Sequence, residues 1–252
     1  MSLFSFFLFA FFCSVLWAAG QVGGRLVKKR DAAESMDEFR LILGAVLSLL
    51  GLVIGFTLSM SIAGYNSRQA AQEAEASSIN SAYLRAGLLE KTYTAPLRTA
   101  LLQYLKKRVE YYNGQSNGRV SKREEAISVQ NELWERTVSA VAGQQTAITS
   151  LVVTGVNDVI SSQKRAQAGW KNQIPLPAWL LLFVIALCCC VMIGYSVGNV
   201  RKRGILLLIL PSMISLSFVM VAEIDSPGEG MIRVNGHDLY ELHRSLIMVS
   251  AN

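Results

Sequence analysis

The sequence has few charged residues and lacks the short motifs that most enzymes carry. Only 17% of its 252 residues are charged, whereas soluble domains contain about 25%. There is no G-x-S-x-G motif, phosphate-binding loop, dinucleotide fingerprint or H-E-x-x-H pair. The two histidines, His237 and His243, are six residues apart and have no obvious third ligand. We therefore expect no enzymatic activity, no metal site and no cofactor.

Charged side chains are also missing from four long apolar stretches, residues 3–22, 41–63, 176–200 and 204–222. Each is long enough, or nearly so, to cross a hydrocarbon core of about 30 Å. The four cysteines lie inside these stretches, and we interpret them as apolar fillers rather than as disulfide partners or zinc ligands. The pattern predicts an all-α integral membrane protein in a lipid bilayer, with four transmembrane helices arranged two and two.

The stretches divide the chain into four parts. We expect an N-terminal transmembrane hairpin at 1–63, a helical extramembrane domain at 64–175, a C-terminal transmembrane hairpin at 176–222 and an extramembrane tail at 223–252.

The second span should continue as a helix beyond the membrane, since no proline interrupts residues 64–88. A hydroxyl followed by proline at Thr94 and Pro96 indicates a helix start, and Gly143 or Gly155 is expected to bend a later helix.

Basic clusters in the short loops indicate the orientation. They follow the first span (25–40) and separate the third from the fourth (201–203). Lys and Arg in short loops stay in the cytoplasm, so both termini and residues 64–175 are predicted to be extracytoplasmic, in a bacterial inner membrane. The net charge of +6 is explained by such loops, and we expect no nucleic-acid partner.

Small residues form a stripe along the second span, consisting of Gly44, Ser48, Gly51, Gly55 and Ser59. Glycines four apart let another backbone approach closely, so the stripe either packs against a helix or lines a pore. Gly51, Gly55 and Ser59 are the candidates for either role. The pattern Gly194-x-x-x-Gly198 in the third span has the same spacing.

Polar residues follow the second and fourth spans. After the second span, the candidates for a polar ring at a channel mouth are Tyr65, Arg68, Glu75, Tyr83 and Arg85; the alternative is an ordinary solvated helix face. After the fourth span, we expect a structural motif with a turn, formed by Asp225, Pro227, Gly230 and Arg233. Asp225 has two candidate basic partners, Arg233 and Arg85, and the sequence does not choose between them.

Several motifs resemble, in chain order, those of one membrane protein family. The chain resembles the bestrophin-like domain proteins, which are distantly similar to bestrophins, over nearly its whole length. It departs from the family pattern at Ser77, Asn80 and Ser226. The matching segments are Leu50–Met60, Tyr65-x-x-Arg68, Glu75–Arg85, Leu133-Trp134, Asn157 with Arg165, Ile174-Pro175 with Trp179, Gly194-Tyr195 and Asp225-x-Pro227-x-x-Gly230-x-Ile232-Arg233-Val234.

The resemblance implies a channel. Bestrophins are pentameric anion channels whose pore follows a helix that ends in a Tyr-x-Arg region, comparable in place to Tyr65-x-x-Arg68. The resemblance thus implies a homo-oligomer, namely a pentamer, that passes small anions. Where bestrophins carry a bulky apolar neck, this chain has Gly51, Gly55 and Ser59. Bestrophins keep their helical region in the cytoplasm, opposite to the orientation that the basic loops indicate.

Two functional hypotheses follow. The first is a homo-oligomeric, anion-conducting channel with the second span near the pore, and it is also favoured by 14 Lys/Arg against 9 Asp/Glu in residues 64–175. The second is a non-conducting membrane scaffold or sensor whose helical domain binds a partner protein. The first requires a wetted second span, and the second a dry and tightly packed one.

Overall fold

The computed structural model describes residues 3–26, 36–113, 119–143, 146–169, 173–196, 203–226, 234 and 236–250. Within these ranges the regular structure is α-helical and contains no strand, which confirms the predicted all-α class. The helices are α1 Leu3–Leu26, α2 Met36–Ala86, α3 Lys91–Asn113, α4 Arg119–Val141, α5 Ala147–Gly169, α6 Leu176–Ser196, α7 Arg203–Asp225 and α8 His237–Ser250.

Four of the described helices are long and apolar enough to cross a membrane. They contain the segments Ser5–Leu26, Glu38–Ala86, Leu176–Ser196 and Leu207–Asp225. The prediction of four spans is therefore confirmed. The second span continues without interruption as helix α2 to Ala86, as the proline-free sequence after residue 63 predicted.

The described residues form two compact units. The membrane unit contains the described residues within 3–63 and 173–226, and the helical unit contains the described residues within 64–169 together with 234 and 236–250. The membrane unit contains α1, α6, α7 and the first part of α2. The helical unit contains the second part of α2 together with α3, α4, α5 and α8.

Aromatic side chains fill the centre of the membrane unit. The ring of Phe218 on α7 lies 5.3 Å from that of Phe12 on α1 and 6.3 Å from that of Trp179 on α6, both nearly perpendicular to it. Edge-to-face pairs of this kind are favourable beyond the area that they bury. Leu50 of α2 belongs to the same buried cluster, so all four apolar helices contribute to this core.

Glycines bring α1 and α6 into backbone contact. A Cβ atom added to Gly194 would overlap the carbonyl group of Gly20, and one added to Gly23 would overlap that of Val191. Because lipid supplies no hydrophobic force between helices, such close packing must hold them together. Gly194 of the predicted small-residue pattern therefore has a packing role within the protomer, whereas Gly198 lies outside the described residues.

Asp225 connects the end of α7 to the start of α6. Its two carboxylate oxygens accept hydrogen bonds from the backbone N–H of Ile174, at 3.1 and 3.2 Å. Of its two candidate partners, Arg233 lies outside the described residues, as do Pro227 and Gly230. Arg85, the other candidate, forms an ion pair with Asp158 at 3.7 Å.

The predicted helix start at Thr94 was wrong. Helix α3 begins at Lys91, and Pro96 lies inside it. The Thr94 hydroxyl lies 3.2 Å from the carbonyl oxygen of Ala86 and 2.9 Å from that of Leu89. It therefore caps the carbonyl end of the preceding helix α2, where main-chain acceptors lack helical partners.

Gly143 separates α4 from α5, so the predicted long helix is broken there. Its φ of +82° is in the left-handed region that glycine adopts at little cost. Gly155 instead lies within α5 and packs on α2, because an added Cβ would be 3.5 Å from the Ala82 Cα atom.

The backbone contact predicts that Gly194→Ala destabilises the membrane unit. The new methyl group would overlap the Gly20 carbonyl, and overpacking typically costs about 1–3 kcal/mol. We expect a lower thermal melting temperature in detergent. Gly44→Ala is the matched control, since an added Cβ there meets no described atom within 4 Å. Equal melting of the two variants would contradict the packing role of Gly194.

Candidate functional site

Helix α2 is the span that packs least within the protomer. In its most apolar stretch only 11% is buried, whereas 22% is buried in the corresponding stretches of α1 and α6 and 44% in that of α7. The side of α2 that does pack in the membrane unit includes Leu50, Thr57 and Ser61. A large part of its apolar surface is therefore left for lipid, for other copies of the chain or for water.

The predicted small-residue stripe lies on this exposed surface. Gly44, Ser48, Gly51, Gly55 and Ser59 are all exposed in the protomer. A Cβ atom added to any of the three glycines would meet no described atom within 4 Å. These glycines differ in this respect from Gly194, and helix packing within the protomer does not explain them.

A bulky apolar surface lies beside the stripe on the same helix. Leu49, Leu52, Phe56 and Met60 expose between 47% and 62% of their surface. Helix α2 thus presents two adjacent faces, one of small residues and one of large apolar residues. The large residues are suited to contact lipid or a neighbouring copy.

Small and polar residues recur on α2 every eleven residues, at Gly44, Gly55, Asn66 and Ser77, which are all exposed. Eleven residues correspond to 3.67 per turn, so the four positions stay on one side of the helix. Ile62, eleven residues after Gly51, is a bulky apolar residue on this side and is 44% exposed. Sequence reasoning missed Ile62, although the repeat would have indicated it.

The candidates for a polar mouth lie elsewhere on α2. Arg68, Glu75 and Tyr83 are buried, Tyr65 is half-buried, and Arg85 is partly exposed next to Asp158. Arg68 packs against α5, where a Cβ added to Gly169 would lie 3.5 Å from its Cγ atom. In the protomer Glu75 and Tyr83 face the interior of the helical unit, and Arg68 and Arg85 face its helix α5. Their role at a channel mouth stays a prediction.

Glu75 is the centre of a buried polar cluster. Its carboxylate receives two hydrogen bonds from the Arg108 guanidinium, one from Nε and one from Nη2 at 2.9 Å. Arg108 also lies over the ring of Tyr111, 4.8 Å from its centroid. Both charges are almost completely buried, which costs less when the pair is bidentate and hydrogen-bonded. The pair joins α2 to α3 inside the helical unit.

Two more side chains that belong to this cluster are Tyr104 and Gln163. The Tyr104 hydroxyl lies 3.3 Å from Glu75 Oε1 and 3.1 Å from Gln163 Oε1 of α5. Burial, and then the nearby negative charge of Glu75, raise the pKa of Tyr104 well above its ordinary value. Burial alone would lower the pKa of Arg108, but the Glu75 carboxylate outweighs it and raises that pKa. Arg108 therefore keeps its charge.

Comparison with known proteins identifies the family. The sequence profile of the bestrophin-like domain matches residues 6–239. The chain belongs to the bestrophin-like domain family. The search of curated protein sequences gave no match. The family and the four apolar helices together show that it is a multi-pass membrane protein.

Solved structures have the same fold. A serine-to-alanine variant of a membrane protein is 10% identical, with a TM-score of 0.67 and coverage of 98% of both chains. A proline-to-alanine variant of a membrane protein is 12% identical, with a TM-score of 0.63 and full coverage of both chains. A tyrosine-to-alanine variant of a bacterial bestrophin homologue from Klebsiella pneumoniae is 13% identical, with a TM-score of 0.60, covering 96% of this bestrophin-like chain and 98% of the homologue.

Breaking the buried ion pair should destabilise this bestrophin-like protein strongly. Arg108→Leu leaves the Glu75 carboxylate buried without its cation, and loss of one partner of a buried pair costs about 3–5 kcal/mol. Denaturant unfolding of the full chain in detergent measures the loss. The double variant Glu75→Leu with Arg108→Leu should lose less stability than Arg108→Leu alone. Additive losses would show that the two residues act independently.

The raised pKa of Tyr104 predicts a loss of stability at high pH. In the unfolded chain the phenol titrates near pH 10, whereas the folded chain holds its proton to a higher pH. The contribution of Tyr104 to the free energy of unfolding is therefore fully present below about pH 10, and it is lost as the pH rises towards the pKa of the folded state. Tyr104→Phe should show a smaller fall between pH 8 and about 11. The Tyr240→Phe variant is the control, because Tyr240 is exposed. Its stability should fall with rising pH as that of the wild type does.

Proposed function

We propose that the chain assembles with copies of itself into an ion channel whose pore is lined by the small-residue stripe of α2. The observation that carries this proposal is the open space at Gly44, Gly51 and Gly55, where an added Cβ meets no described atom within 4 Å. Glycine is unfavourable in a helix interior by up to about 1 kcal/mol relative to alanine. Three such residues on one unpacked face therefore suggest a partner outside the protomer.

Symmetric copies of α2 would use its two exposed faces differently. The small face, turned towards the symmetry axis, leaves room for water and ions. The adjacent face with Leu52 and Phe56 can then pack against a neighbouring copy or lipid. In this arrangement the symmetry-related copies of Ile62 form a ring of bulky apolar side chains that narrows the pathway. The pathway is wider at the levels of Gly55 and Ser59, whose side chains are small. Apolar constrictions of this kind can gate a channel by excluding water.

Family membership supports the proposal. The chain belongs to the bestrophin-like domain family, and its fold is that of a bacterial bestrophin homologue. Five copies and selectivity for anions are the finer expectations from the resemblance. The number of copies stays a prediction, and the sign of the selectivity depends on the charged residues that line the pathway. The extracytoplasmic location of the termini and of the helical unit also stays a prediction, which a reporter fused at residue 252 would test.

Accessibility of α2 to water tests the proposal. In a variant with the four native cysteines replaced by alanine, Gly55→Cys and Ser59→Cys should react with water-soluble thiol reagents in membranes. Reaction should also reduce ion flux from liposomes. Leu50→Cys is the matched control, because Leu50 is buried in the protomer core and should stay unmodified.

The same experiment addresses the scaffold alternative. A stripe that only packs against another helix stays dry, so neither Gly55→Cys nor Ser59→Cys would react from either side of the membrane. Wild-type liposomes would then leak salt no faster than empty ones. These two results together would exclude the channel and favour a non-conducting scaffold or sensor.

A further inference from the structure

The extramembrane part of α2 continues the exposed side of the helix with polar residues. Asn66, Gln69, Glu73 and Ser77 are exposed, and their spacings of three and four residues place them on one face. They follow the small-residue stripe on the same helix. If that stripe lines the pore, these four residues line the continuation of the ion pathway in the helical unit.

Glu73 is the one charged residue among the four that form this face. Its carboxylate accepts a hydrogen bond from the Gln69 amide at 3.2 Å, and it forms no ion pair with a described residue. A neutral amide leaves the negative charge uncompensated. This face of α2 therefore contributes one negative charge from each copy of the chain.

The basic residues of this part of α2 point away from the face. Arg68 is only 3% exposed and packs towards Gly169. Arg85 lies 3.7 Å from Asp158 and 3.5 Å from the carbonyl oxygen of Leu151, both on α5. Glu75, the other acid, is neutralised by Arg108 in the interior. The basic side chains that could attract anions here are thus used within the protomer.

We propose that symmetry copies of Glu73 form a ring of carboxylates that makes the pathway selective for cations over anions. Rings of Asp or Glu select cations in channels, and a like-charged ring repels anions from the entrance. The side-chain oxygens of Asn66, Gln69 and Ser77 can replace part of the hydration shell of a cation. This inference rests on the proposed channel function, and it differs from the anion selectivity that the resemblance implies.

Reversal potentials of the full chain in planar bilayers under a KCl gradient test this inference. We expect the wild type to prefer potassium over chloride by about tenfold or more, as a ring of one charge sign concentrates counter-ions. Glu73→Gln should bring the two permeabilities close together, and Glu73→Lys should invert the preference. Glu135→Gln removes an exposed acid on α4 and should leave the selectivity unchanged.

Each outcome separates the two proposals. A wild type that conducts but prefers chloride would overturn the cation inference and leave the channel intact. The same holds if Glu73→Gln and Glu73→Lys conduct with the wild-type reversal potential. If the wild type does not conduct at all, the channel function and the cation inference fail together. Because Glu73 is exposed, its variants should keep the wild-type melting temperature, which shows that they are folded.

Discussion

The structure depends on the requirement that every main-chain amide in hydrocarbon find a partner within the protein. An unpaired amide there costs several kcal/mol, so each span must be a helix. Since lipid does not drive helices together, the membrane unit relies on close fit, most clearly where Gly20 of α1 meets Gly194 of α6. Gly44, Gly51 and Gly55 of α2 have no such neighbour among the described residues. Gly194 and these glycines thus have different surroundings, although the sequence places all of them in small-residue patterns.

The sequence predicted the features that repeat over many residues. Four uncharged stretches of about 20 residues can hardly be anything but spans, and the absence of proline after residue 63 extended α2 correctly. Local signals were less reliable. Thr94 and Pro96 resembled a helix start, but the Thr94 hydroxyl caps α2 instead, because the tight turn before α3 brings the last carbonyl group of α2, that of Ala86, within its reach.

The direction of side chains on α2 was harder to predict. Arg68, Glu75 and Tyr83 looked like a polar mouth because the sequence shows their charge and polarity but not the helices that pack against them. The structure buries Glu75 with Arg108, a residue 33 positions away in the chain. Pairing at such a distance leaves no periodic signal in one sequence. Glu73, two residues before Glu75, is exposed for the same geometric reason, since it lies on another side of the helix.

The hydrogen bond between Asp225 and the amide of Ile174 constrains the amino acid at position 225 more than the amino acid at position 174. The carboxylate binds main chain, so the side chain at position 174 takes no part in the bond. Any amino acid other than proline, which lacks the N–H group, preserves the donor there. Position 225 has no such freedom, because an acceptor of the right length must come from its side chain. This hydrogen bond therefore constrains the side chain at position 225 and places no demand on the side chain at position 174.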